Sequence, residues 1–359
     1  MPAAGRPPAR PVPAEAVCGN GKESGAPAAA GAGWQPPGRP DERLAAMAHG
    51  HHDTAHRHGD HGPGPGNGQG HAHGHGHGAD VDWAAMAPYL ERGAELFAPL
   101  HAEAAAWLRR WQPEPELVVD AGSGPGVVTA LLAEAFPRAR TVAVDSSPYL
   151  LERARRRAER QGFADRLDTL EADLATGLDG LAYPADLIWA SKAVHHVGDQ
   201  RAALSVLAGR LAPGGVLALL EGGLPTRFLP RDFGLGRPGL QSRLDELEDR
   251  GFDRMRAELP GAVAEPEDWP ALLAAAGLRH AATRTFLLDL PAPLPDAARA
   301  HVAATLAHRR DVLADGLDAE DLATVDRLLD PGDKESLHHR PDAFFLTAQT
   351  VYVGVRAEG

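Results

Sequence analysis

An α/β fold built on a doubly wound, mostly parallel sheet follows from three observations in the 359-residue sequence. Short β-branched apolar runs alternate with helix-patterned segments, and parallel strands need such crossover connections. Ser, Asp, Pro and Gly fall where helices would start and stop. The first apolar run ends in a glycine-rich turn, the place where open parallel sheets bind ligands.

The elements follow in order. Residues 1–80 are rich in Gly, Pro and His and have little to bury, which predicts a disordered tail. Residues 82–111 carry apolar side chains at helical spacing, interrupted at Pro88 and Pro99. That pattern predicts two or three short helices, forming an N-terminal helical cap over 81–114. A first strand at 116–120 leads into a helix at 127–136 that stops before Pro137. The second strand spans 140–145. Ser147 then caps a helix with Pro148 at its first position, an arginine-rich second half and Gly162 as its stop. Strands are expected at 166–173 and 185–191, then a helix from about 199 to 211 ended by Pro213-Gly214-Gly215, and a fifth strand at 216–221. Beyond it come a helical stretch at 240–258, a helix at 269–277, a strand at 283–290, two helices within 295–330 and a seventh strand at 343–356. This divides the chain into a cofactor-binding core at 115–223, a helical insertion or lid at 224–265, and a segment at 266–359 that completes the sheet and carries a helical insertion at 295–330.

Composition narrows the function. The first 80 residues hold 7 acidic and 6 basic side chains, which leaves 42 acidic and 30 basic for the rest, a net charge near −12. Such a surface repels phosphate backbones, so a nucleic-acid partner is not expected. The lone Cys18 allows no disulfide framework. Neither a signal-peptide core nor a bilayer-length apolar run is present, which predicts a cytoplasmic protein without a membrane partner, as a monomer or homodimer. Ten of the 18 histidines lie between His49 and His77. His71, His73, His75 and His77 would bind metal weakly in vitro, but a glycine-rich tract lacks the fixed geometry of a resident site.

The chemistry begins at Asp120-Ala121-Gly122-Ser123-Gly124-Pro125-Gly126. Glycines let the backbone turn tightly and let a ligand come close. A dinucleotide fingerprint would require a further glycine at 127, where this chain has Val127. Asp145 ends the second strand, in position for ribose hydroxyls. Nicotinamide enzymes also carry an acid there, so an NAD-dependent oxidoreductase stands as an alternative. So does a non-catalytic protein that binds an adenosyl cofactor or metal.

"VVDAGSGPG", "VAVDSS", "LEADLATGL", "ADLIWASKAVHHV" and "LAPGGVLALLEGG" follow one another in an order and spacing that resemble class I S-adenosylmethionine-dependent methyltransferases. The likeness covers roughly 115–223 and is nearest to the small-molecule type of quinone and natural-product biosynthesis. It implies a Rossmann-like seven-stranded sheet with an antiparallel last strand, and S-adenosyl-L-methionine as cofactor. By the same resemblance Gly122, Gly124 and Gly126 line its methionine and ribose portions, with Asp120 and Ser123 organising the loop. Asp145 and Ser146 take the ribose, Asp173 and Leu174 the adenine, and Ser191 and Lys192 border the methionyl end.

No N-P-P-Y follows the fourth strand. With the acidic balance, that favours a small organic acceptor, methylated on oxygen, nitrogen or carbon. A hydroxyl acceptor would need a general base, for which His195 and His196 are the candidates. Phe228, Phe233, Phe252 and Met255 are candidate walls of an acceptor cavity, or else the core face of a lid helix. His338, His339 and Arg340 precede the last strand and either face the pocket or serve a loop or interface, and Tyr89, on the N-terminal helices, is a further candidate.

Overall fold

The computed structural model describes residues 82–175 and 177–358. The tail at 1–80, with the histidines named above, lies outside the described residues. Helix α1 (Trp83–Leu96) starts at Asp82, whose Oδ1 accepts from the Ala84 and Ala85 amides. It runs straight through Pro88, so the expected break is absent. A proline inside a helix forfeits one backbone bond and costs about 3 kcal/mol. Tertiary contacts offset it: Ala87 and Leu96 are buried, Arg153 forks onto Glu91 at 2.6 and 3.0 Å, and Arg157 reaches Glu95 at 2.9 Å. Phe97 joins α1 to α2 (Ala98–Leu108), where Pro99 sits harmlessly in the first turn.

Alternating units then build the sheet: β1 (Leu117–Ala121), α3 (Val127–Ala135), β2 (Arg140–Asp145), α4 (Pro148–Gln161), β3 (Leu167–Glu171), β4 (Ala185–Ser191), α5 (Gln200–Gly209) and β5 (Leu211–Arg227). After α6 (Leu240–Glu258) and α7 (Trp269–Ala275) come β6 (Arg279–Leu290), α8 (Asp296–Leu313), α9 (Ala319–Leu329) and β7 (Phe345–Val355). The strand order is β3-β2-β1-β4-β5-β7-β6, with β7 antiparallel to both of its neighbours and the β3-to-β5 pairs parallel. The chain winds outward from β1 in one direction and from β4 in the other. The crevice at that switch point opens at the carboxyl end of β1.

Two strands are longer than the sequence implies. β5 continues past Gly222 and Gly223 to Arg227, with register shifts against β7 on either side of that stretch. Gly223 has φ +125°, and a Cβ there would meet the Ala348 carbonyl oxygen at 2.1 Å. The expected strand stops at 221, ahead of this glycine pair, which instead serves as a bulge where two backbones approach. β6 likewise starts at Arg279, ahead of a shift near His280.

Alternation along the strands splits the interior in two. Val118, Leu187 and Trp189 face a core shared with α1, α2, α3 and the later helices α6, α8 and α9. Val119, Ile188 and Ala190 face the opposite core, closed by α5 and α7. Among the described residues no helix is long and apolar enough to cross a membrane.

Candidate functional site

The glycine turn at the end of β1 uses its three glycines differently. All have positive φ: +78° at Gly122, +54° at Gly124 and +78° at Gly126. A Cβ on Gly122 would fall 2.6 Å from the Ala193 Cβ in the loop after β4. On Gly126 it would fall 2.5 Å from the Ala154 Cβ and 2.8 Å from its Cα on α4. At Gly124 nothing lies within 4 Å. Gly124 is therefore the glycine open to a ligand. Gly126 does not border the cavity described below, which corrects its expected place: its role is the close packing of α3 on α4.

A buried acid and a half-buried one fix this turn. Asp120 is 1% exposed and accepts from the Thr129 hydroxyl at 2.6 Å, tying β1 to the first turn of α3. Burial pushes its pKa up to about 7, against the Thr129 bond and with the charge of Asp145 adding to the rise. Asp145 accepts from the Gly124 amide at 2.8 Å and the Ser147 amide at 2.9 Å. Its pKa is also raised by burial, with those backbone donors pulling the other way. The Gly122 and Ser123 amides donate to the Val144 carbonyl at 2.9 and 2.8 Å, so the turn hangs on β2 as well as β1.

The turn forms one wall of a cavity of about 1000 Å³, at the upper end of the usual range for small-ligand sites. Asp120, Gly122, Ser123, Gly124, Asp145, Ser146, Asp173, Leu174, Ser191, Lys192 and His196 all border it. The Asp173 carboxylate also receives the Ala175 amide at 2.8 Å, which shapes the turn beyond β3.

The neighbouring histidines part company. His196 borders the cavity, whereas His195 does not. His195 is held by Glu221, with Nδ1 to Oε2 at 2.7 Å, and its ring meets Phe252 of α6 at 5.6 Å between centroids. Arg256, also on α6, donates to the His195 and Val197 carbonyls at 2.7 and 2.6 Å. His195 thus belongs to the joint between α6 and the loop after β4, contrary to its expected catalytic place.

The remaining walls come from residues that sequence reasoning passed over. Phe97 and His101 enter from the helical cap, Thr226 from β5, His301 and Thr305 from α8, and Gln349 from β7. His101 donates Nε2–H to the Gln349 Oε1 at 3.2 Å, with Nδ1 buried and unbonded. Burial, then the charge of Lys192, lowers its pKa to about 4. His301 is likewise lowered to about 4 by burial, with Arg92 and Lys192 contributing. Both imidazoles are neutral near pH 7. Tyr89 lines the cavity and stands 6.0 Å from the His301 ring.

Other expected wall residues lie elsewhere. Phe228 and Phe233 are core residues, Phe252 covers His195, and Met255 is not on the cavity. His339 bonds the Pro331 carbonyl, Arg340 binds Asp342, Glu335 and the Phe233 carbonyl, and neither they nor His338 reach the site. Among the described residues no group of three or more His, Cys, Asp or Glu is arranged to hold a metal.

Residues 119–217 match the model of a methyltransferase domain. A trans-aconitate 2-methyltransferase from Methylobacterium radiotolerans is 44% identical over 105 residues, 29% of this chain and 37% of that protein. One from Streptomyces coelicolor is 35% identical over 170 residues, 46% of this chain and 51% of that protein. The chain therefore spans about half or less of the length of these relatives. An O-methyltransferase family protein from Burkholderia thailandensis aligns with a TM-score of 0.43 at 16% identity, over 77% of this chain and 59% of that one, too low a score to add to the topology above. The donor set suits an adenosyl cofactor: open space at Gly124, a carboxylate at the end of β2 and another beyond β3, all on one cavity. Residues 119–217 are therefore a methyltransferase domain, set in a sheet whose antiparallel β7 lies between β5 and β6.

Proposed function

We propose that the chain transfers a methyl group from S-adenosylmethionine to a small organic acceptor. The observation that carries this reading is one continuous cavity: the glycine turn forms one wall, and the helical cap, α8 and β7 form the others. A cofactor and a small acceptor would share it. When bound, S-adenosylmethionine supplies an activated methyl on a sulfonium, so the protein's task is alignment and exclusion of water.

In this reading Asp145 and Ser146 hold the ribose, Asp173 and Leu174 the adenine, and the Gly122–Ser123–Gly124 backbone the methionine and ribose portions, with Ser191 bordering the methionyl end. Asp120 acts through Thr129 by keeping the turn in shape. Of the two histidines after β4, His196 is the one positioned to take a proton from a hydroxyl acceptor. We assign cofactor binding to 115–223, a cap to 81–114, a covering insertion to 224–265 and completion of the sheet to 266–359, where the helices of 295–330 contribute His301 and Thr305 to the cavity. The curated relatives are named for trans-aconitate, which makes it the first acceptor to assay.

Thermal unfolding tests the reading. S-adenosylhomocysteine at about one hundred times its Kd should stabilise the protein by about 2.7 kcal/mol. NAD should give no shift, and Asp145→Ala should remove the shift from S-adenosylhomocysteine while leaving the far-ultraviolet spectrum intact. Stabilisation by NAD and not by S-adenosylhomocysteine would return the oxidoreductase alternative.

A further inference from the structure

We propose that the acceptor is a small organic carboxylate and that Lys192 binds its charged group. This rests on the methyltransferase reading above and adds to it the chemical class of the second ligand. It also moves Lys192 from the cofactor side of the cavity to the acceptor side.

Charges around the cavity are segregated. Asp120, Asp145 and Asp173 stand at or just beyond the ends of β1, β2 and β3, and Lys192 follows the end of β4. Among the described residues Lys192 is the one lysine or arginine that lines the cavity. Its Nζ stands over the ring of Phe97, which follows α1 in the helical cap, and the ammonium lowers the pKa of His101 on α2 and of His301 on α8.

Its own surroundings leave that charge uncompensated. Lys192 makes no ion pair among the described residues, and its Nζ lies 5.2 Å from the centre of the Phe97 ring. The acid it feels is Glu221, whose carboxylate is already engaged by His195 at 2.7 Å and by the Val194 amide at 3.1 Å. The side chain is accessible, yet enough protein surrounds it to lower its pKa, as expected for a cation standing in a recess rather than on the outer surface. Neither flanking imidazole supplies or removes charge near neutral pH.

The backbone at the lysine is strained and firmly held. Lys192 has φ +50°, a left-handed conformation that side chains other than glycine rarely adopt. Its amide donates to the Leu220 carbonyl at 3.0 Å, so the turn is locked to β5. A strained residue held this firmly, next to a ligand cavity, is a functional signature.

Space for the rest of an acceptor lies beside it. A recess of about 280 Å³ shares Phe97, Lys192, Thr226 and Gln349 with the main cavity and is otherwise walled by residues of β5 and β7. No residue of the glycine turn borders this recess. A single ammonium with neutral hydrogen-bonding neighbours suits one carboxylate. A phosphate dianion would be left half neutralised, because among the described residues no arginine lines either space.

The test uses the full chain saturated with S-adenosylhomocysteine and titrated calorimetrically with acetate, benzoate, citrate and trans-aconitate, alongside acetamide and benzamide. At least one carboxylate should bind and the amides should not. Lys192→Met should weaken that carboxylate by about tenfold or more, Lys192→Arg should restore most of the affinity, and both variants should bind S-adenosylhomocysteine like the parent. The proposal is overturned if no carboxylate binds, if amides bind equally, or if Lys192→Met keeps its carboxylate affinity. It is also overturned if Lys192→Met loses S-adenosylhomocysteine, which would return the lysine to the cofactor. Failure of the parent protein to bind S-adenosylhomocysteine would instead overturn the underlying methyltransferase reading.

Discussion

Alanine at Gly124 and alanine at Gly126 should produce opposite phenotypes, although the two residues lie in one turn and both have left-handed backbones. A left-handed conformation costs a residue with a Cβ about 1–2 kcal/mol. At Gly124 that is the whole structural cost, since a methyl there meets nothing within 4 Å. At Gly126 the methyl would lie 2.5 Å from the Ala154 Cβ and 2.8 Å from its Cα. Forcing α3 and α4 apart adds about 1–3 kcal/mol of overpacking, for about 2–5 kcal/mol in total. In a protein of this size 1 kcal/mol moves Tm by roughly 2–4 °C, so Gly126→Ala should melt roughly 4–20 °C lower and Gly124→Ala roughly 2–8 °C lower. Binding should run the other way. Gly124→Ala places its methyl on the cavity side and should weaken S-adenosylhomocysteine by about tenfold or more, since a ligand that needs the space must be displaced. Gly126→Ala, measured well below its Tm, should bind much as the parent does. The reasoning fails if the two variants lose equal stability, or if Gly126→Ala melts normally and loses the ligand.

Three further outcomes follow from the geometry. Asp120 has a folded pKa near 7, well above its unfolded value, so its contribution to stability is complete below about pH 4 and is lost as pH rises through 7; Asp120→Asn should flatten that decline in denaturant titrations at several pH values, and an unchanged slope would contradict it. Asp321 is 2% exposed and accepts from Arg243 at 2.6 and 2.7 Å and from Arg237 at 2.9 Å; Asp321→Ala should cost about 2–4 kcal/mol in urea unfolding, below the usual cost for a fully buried pair because both arginines are partly exposed, and a smaller loss would contradict that role. Arg256→Met, at a residue that does not itself line the cavity, should loosen the loop that carries His195 and His196, raising amide hydrogen exchange at 193–198; protection equal to the parent would remove α6 from any part in ordering that loop.

What the sequence disclosed about the fold tracks how local each signal is. The Ser147 cap with Pro148 behind it and Gly162 as its stop are signals contained within a few residues, and all three appear as read. β4 and α6 have the bounds that periodicity implies. Pro88 misleads because its cost is intrinsic to the helix, while the ion pairs from Glu91 and Glu95 to α4 that offset it join residues 62 apart. Gly222 and Gly223 mislead because a bulge and a turn want the same residue.

The candidate site divides along the same line. The turn at 120–126 and Asp145 carry their message in spacing, and the geometry gathers them on one cavity, with Gly126 as the exception. Nothing in the spacing of GPG distinguishes a glycine that faces a ligand from one that faces Ala154. His195 and His196 are equivalent in sequence, and only Glu221, on the next strand, decides which one turns away. The His101–Gln349 bond spans 248 residues, and His301 arrives from a helix that reads as an insertion, so no local pattern could have joined them. Phe228 and Phe233 were plausible cavity walls by composition, but in a core this large most aromatics are needed for packing.

A crystal structure with S-adenosylhomocysteine bound tests the cofactor assignment most directly. Both ribose hydroxyls should lie within about 3 Å of the Asp145 carboxylate, with the adenine beside Asp173 and Leu174 and the sulfur facing the chamber that contains Lys192. Density for the ligand outside this cavity, or with the adenine directed toward Lys192 and the sulfur toward Asp173, would contradict it.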